Sequence, residues 1–141
     1  MNQYTVTYES LDAACDACAL ILPQRPNAAT PDAIAALVAK IDWMPVPDWS
    51  SKDDNDIAIR ANLYGLGLAG FLLVVTEASF AKRLGAFRVD AKGLGNLVQS
   101  HLQKYGECFF NGDVVIVELA GKRIWLFHHE GQVALLTALG R

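Results

Sequence analysis

Three short constellations in this chain bring together residue types that do chemistry. Gly65-Leu66-Gly67-Leu68-Ala69-Gly70 spells GxGxxG, and Asp90 follows twenty residues after its last glycine. That is the spacing of a dinucleotide fingerprint, in which glycines admit pyrophosphate to the backbone and an acid holds the ribose. Arg60 and Asn62 interrupt the strand expected before it. The apolar run after it reads as another strand, where a phosphate site needs a helix N-terminus. The glycines therefore read as a connection, and a small nucleotide-binding enzyme built on residues 65–70 is the alternative. Cys15-Asp16-Ala17-Cys18 spells CxxC, the redox or zinc spacing, but both sulfurs fall on the apolar stripe of an expected helix. Core packing is the expectation there, with Cys108 alone on a strand. His128-His129-Glu130 ends a strand and enters a turn, so the two imidazoles should point to opposite faces. General acid–base work would pair one of them with Glu130 or Asp113. No GxSxG elbow accompanies them. No catalytic residue, cofactor or metal is assigned.

A fourth feature suits recognition rather than catalysis. Between residues 43 and 56, Trp43, Asp48, Trp49, Asp53, Asp54 and Asp56 place two tryptophans among four acids. Tryptophan is a frequent anchor of protein interfaces, and surrounding carboxylates steer a basic partner. Met44-Pro45-Val46-Pro47 is extended, because proline fixes φ and disfavours helix in the residue before it. The whole segment reads as a long loop, and these six residues are the expected partner-binding set.

The elements that must carry these features follow from periodicity. Residues 3–8 alternate Tyr4, Val6 and Tyr8 with polar neighbours, as a half-buried strand does. Ser10 caps a helix over residues 11–22. Thr30 and Pro31 open a second over 31–42. Ile57, Ile59, Ala61 and Leu63 alternate as a strand. Residues 71–76 are apolar on both faces and form a central strand. A short helix over 77–84 and a short strand over 87–89 follow. The stripe Leu94, Leu97, Val98, His101, Leu102, Tyr105 defines a helix over 91–105 that ends at Gly106. Asn111-Gly112, Ala120-Gly121 and Glu130-Gly131 then separate four strands, over 107–110, 113–119, 122–128 and 132–137.

Composition bounds the function. With 141 residues, 52% apolar and 19% charged, the chain makes one folded domain rather than a disordered or fibrous one. A net charge of −3, with scattered lysines and arginines, argues against direct nucleic-acid or membrane binding. Nine acids against four bases in residues 1–60 concentrate negative charge in the first half. Three cysteines make no even disulfide set, and the N-terminus has no signal-peptide pattern, so a cytoplasmic location is expected.

The fold expected is α+β, a single domain over residues 1–141. Its mainly antiparallel sheet ends in a four-stranded meander, with the helices packed mostly on one face. The other face then needs a cover, so a homodimer is a further expectation. In size, acidity, α+β build and lack of a catalytic signature, the chain resembles the bacterial immunity proteins that neutralise a cognate toxin domain, including those of contact-dependent inhibition systems. That resemblance implies a non-enzymatic protein whose partner is basic, such as a toxin nuclease domain. It transfers no residue assignments.

Overall fold

A computed structural model describes residues 4–138. Its frame is a seven-stranded, wholly antiparallel sheet: β1 (Thr7–Glu9), β2 (Met44–Pro45), β3 (Phe71–Val75), β4 (Ala86–Asp90), β5 (Val114–Glu118), β6 (Arg123–His128) and β7 (Gln132–Thr137). Their spatial order is β1-β4-β3-β5-β6-β7-β2. Five α-helices accompany them: α1 (Leu11–Ala19), α2 (Pro31–Ala35), α3 (Asp54–Arg60), α4 (Glu77–Ala81) and α5 (Leu94–Tyr105). The α+β class therefore stands, and β5, β6 and β7 form the C-terminal meander.

Alternation along the central strands feeds two cores. On one face Leu72, Val74, Phe87, Val89, Val114, Ile116, Trp125 and Phe127 pack beneath α3 and α5. On the other, Leu73, Val75, Val115, Val117, Ile124 and Leu126 pack beneath α1 and Ile34 of α2. Side chains two apart share a face of a strand, so a run apolar at every position must be covered twice. The expectation of helices mostly on one face is thus corrected. The chain covers both, and the open face that had suggested a homodimer is closed by α1 and α2.

Several element boundaries also differ. Of the strand expected over residues 3–8, Gln3 lies outside the described residues, and pairing begins at Thr7. The helix expected over 31–42 shortens to α2, after which Leu37 and Ile41 still pack against the second core. The alternating residues 57–63 are largely helical, in α3. Asp53 caps it, its carboxylate accepting the Asp56 amide at 2.9 Å, while Asp54 and Asp56 sit in the first turn and Arg60 in the last. Carboxylates at the start and a cation at the end both oppose the helix dipole favourably. Residues 107–110 form a turn rather than a strand, so the meander has three strands instead of four.

Helix α5 matches its expected stripe in Leu94, Leu97, Val98 and His101, but Leu102 faces solvent. Gly106 closes it at φ +78°, donating its amide to the Leu102 carbonyl at 2.9 Å. No helix among the described residues is long and apolar enough to cross a membrane.

Candidate functional site

The segment from Trp43 to Asp56 is a built part of the fold rather than a free loop. Met44–Pro45 pairs with β7 at the sheet edge, and Trp49–Ser51 form one turn of 3₁₀ helix. Both tryptophans are half-buried and lie against opposite cores. Trp43 meets the His128 ring edge-on at 5.8 Å between centroids, and Trp49 meets Phe127 in the same manner at 5.4 Å. A Cβ at Gly131 would overlap the Trp49 indole, so the β6–β7 turn closes on that ring because its third residue is glycine. That glycine also holds φ +86°, which other residues rarely adopt. The two tryptophans pack against this turn from opposite faces of the sheet instead of projecting outward.

The acids divide as sharply. Asp48, Asp53 and Asp56 are exposed, although the Asp53 carboxylate is engaged as the α3 cap. Asp54 turns inward. Its two oxygens accept the amides of Phe109 at 2.7 Å and Phe110 at 3.1 Å, fixing the turn that carries two buried rings. Burial raises its pKa, and the two amide hydrogen bonds oppose that rise. Asp54→Ala leaves both amides without their acceptor and is expected to cost about 2 kcal/mol in urea unfolding. The exposed Asp56→Ala should stay within about 0.5 kcal/mol of the parent. Along residues 42–59 the exposed large apolar side chains are Met44 and Ile59, 63% and 58% accessible, and Asp42 lines the same groove as Met44. Neither carried a signal in the sequence, because each sat in a pattern that read as extended chain.

The glycine fingerprint is assembled in reverse. Gly65 and Leu66 belong to a 3₁₀ turn (Tyr64–Leu66) that follows α3, and the residues after it lead into β3, so no α-helix begins at the glycines. The Ala69 amide is taken by Glu118 at 2.7 Å, and the Leu66 and Gly67 carbonyls accept from Arg123 at 3.0 and 3.3 Å. Asp90 caps a 3₁₀ turn through the Lys92 amide at 2.8 Å. The strand–turn–helix order that the nucleotide alternative requires is absent there. Glu118 and Arg123, unremarked in the sequence, hold this loop: they pair across the β5–β6 turn at 2.6 Å.

Cys15 and Cys18 are buried in the second core, and burial pushes the Cys18 thiol up to about 12. It stays protonated at neutral pH and behaves as a small hydrophobe. Cys108 is exposed in the 107–110 turn.

The histidines depart from the expectation of opposite faces. His128 Nε2 lies 3.1 Å from an Asp32 oxygen, and His129 Nδ1 lies 2.8 Å from an Asp113 oxygen. The two imidazoles stack at 4.2 Å, 27° apart. His129 leaves the strand before its ring is placed, and the Gly131 amide bonds back to the His128 carbonyl at 2.8 Å, so strand alternation no longer applies. Asp113 raises the pKa of His129 through its hydrogen bond.

No family model, no curated protein and no solved structure matches this chain. Its functional reading therefore rests on these residues alone.

Proposed function

We propose that this chain is a non-enzymatic binding protein of the toxin-neutralising immunity type, whose partner is a basic protein domain. One observation carries the reading: Asp42, Asp48, Asp53 and Asp56 are exposed along the same stretch as the outward-facing Met44 and Ile59. Apolar side chains surrounded by carboxylates combine a desolvated contact with long-range attraction for positive charge. In this reading Met44 and Ile59 are the anchors, and Trp43 and Trp49 support the surface from beneath. The partner would be basic because its own substrate is a polyanion, and cover by this surface would deny that substrate access.

The test starts from capture of the partner in host lysate at low and high salt. A single basic protein in stoichiometric amount, released as salt rises, is the expected result. Expressed alone it should arrest growth, and co-expression of this chain should restore growth. A variant carrying Asp42→Lys, Met44→Ala and Ile59→Ala should lose both capture and rescue while keeping its fold. Nothing retained at low salt, or a captured protein without toxicity, would remove the immunity reading. Equal capture by the variant would place the interface on another face.

A further inference from the structure

We propose that Asp113, His128 and His129 bind a divalent transition-metal ion of the zinc class, with Asp32 orienting His128 from behind. The inference is independent of the binding function above.

Register brings the three side chains together. Val114 is paired with Phe127 across β5 and β6, so Asp113, one step before β5, falls beside His128 at the end of β6. His129 is the next residue, already in the turn, and its amide and Nδ1 both bond the same Asp113 oxygen at 2.8 Å. One donor atom from each of the three residues lies within 4.8 Å of the other two. Tetrahedral zinc with bonds of about 2.1 Å holds its ligand atoms roughly 3.4 Å apart, so small side-chain rotations complete the set. Asp113 and His129 are already closer than that.

The donor set selects the ion. Two imidazoles and one carboxylate suit zinc, copper or nickel, whereas magnesium and calcium require oxygen donors. The surroundings have the form of a metal site as well. His128 Nε2 is engaged by Asp32, which leaves Nδ1 as its donor, at present accepting only a long 3.2 Å bond from the Glu130 amide. A carboxylate behind a ligating histidine fixes its tautomer and raises its basicity. The Trp43 ring edge against His128, and Trp49 beneath Gly131, hold the turn in place. The His129 side chain is half exposed, so a fourth position opens to solvent for water or an exchangeable ligand.

Tag-free full-length protein titrated with zinc in a calorimeter, and with cobalt in the visible range, tests the assignment. One ion per chain and a four-coordinate cobalt spectrum are expected. Zinc should shift the imidazole NMR signals of His128 and His129 but leave the buried His101 unmoved. His129→Ala, at an exposed position whose backbone amide keeps its bond to Asp113, should abolish saturable binding. Asp32→Asn should weaken it by about tenfold, the usual cost of losing such an outer partner. Cys108→Ser should bind like the parent. Absence of saturation, or a His129→Ala protein that binds zinc as the parent does, overturns the site. Imidazole shifts confined to His101 would overturn it too.

Discussion

Arg123→Ala is expected to lower the unfolding free energy at pH 7 by about 3–5 kcal/mol, the cost of leaving a buried carboxylate without its counter-ion. The Glu118 side chain is only 2% exposed. It receives Nε of Arg123 at 2.6 Å, Nη2 at 2.9 Å and the Ala69 amide at 2.7 Å. The guanidinium continues to the Leu66 and Gly67 carbonyls, so the substitution also releases the glycine loop. In the parent, the Arg123 hydrogen bonds hold the Glu118 pKa below its ordinary value against the opposing effect of burial. Its contribution to stability therefore stands above the unfolded carboxylate pKa and is lost as pH falls through the folded one.

Without Arg123 the order reverses. Burial outweighs the single amide bond, the carboxyl pKa rises, and protonation then favours the folded state. Urea unfolding at pH 7 and pH 5 separates these cases: the deficit of Arg123→Ala should shrink at the lower pH. Adding Glu118→Gln to Arg123→Ala should recover a large part of the loss, because an uncharged amide needs no counter-ion. A deficit under about 1 kcal/mol, or one equal at both pH values, would show that the pair holds little of the fold together.

The parts of this structure that sequence patterns revealed are those whose cause is local or periodic. Val74 and its neighbours in β3 are apolar in both directions because the strand lies inside a sheet covered on both faces. Helix α5 announced itself through a six-residue stripe, four members of which are buried, and a terminal glycine. Pattern and structure part where one pattern admits two structures. Ile57, Ile59, Ala61 and Leu63 satisfy a period of two, yet the chain buries Ile57, Ala58 and Leu63 and turns Ile59 outward. The deciding signal was Asp53 as a helix cap, concealed in a run of acids that resembled a solvated loop.

Other features depended on residues far away in the chain. Phe109 and Phe110 leave the expected strand because Asp54, more than fifty positions earlier, accepts both their amides. Nothing near Trp49 says that it will lie under Gly131. The Glu118–Arg123 pair was in principle legible, since the two residues face each other across a recognised hairpin. The same register could have paired Asp113 with His128. The swing of His129 onto that side depends on how the turn closes after the strand, which alternation does not describe.

The largest pH effect should come from His101, which is fully buried in the first core. Its Nε2 lies 3.2 Å from Thr76 Oγ1, while Nδ1 has no partner among the described residues. Phe87, Tyr105 and Phe109 surround the ring at 4.8 to 5.3 Å between centroids. With no carboxylate beside it, burial alone lowers its pKa from 6.5 to about 4. The unfolded chain thus takes up a proton at a pH where the folded chain refuses it. Stability is intact above pH 6.5 and falls as the pH drops toward 4, by up to about 1.4 kcal/mol per unit and roughly 3 kcal/mol in all.

Neighbouring titrations do not imitate this slope. The Glu118 contribution starts to fall only as the pH enters the ordinary carboxylate range, at the lower end of the His101 window. The raised pKa of Asp54 acts with the opposite sign, because its protonation favours the folded state. His129 has a raised pKa, so its contribution is present at low pH and disappears as the pH climbs. His101→Leu fills the same site without a titrating group and leaves no buried ring nitrogen unpaired. It does remove the partner of the buried Thr76 hydroxyl, so its stability at pH 7 should lie about 1–3 kcal/mol below the parent, a constant offset that the slope with pH does not share. Urea midpoints measured every half unit from pH 7 to pH 4.5 should then fall steeply for the parent and stay nearly level for His101→Leu. Parallel curves would mean that the buried imidazole takes up its proton with the helix still in place.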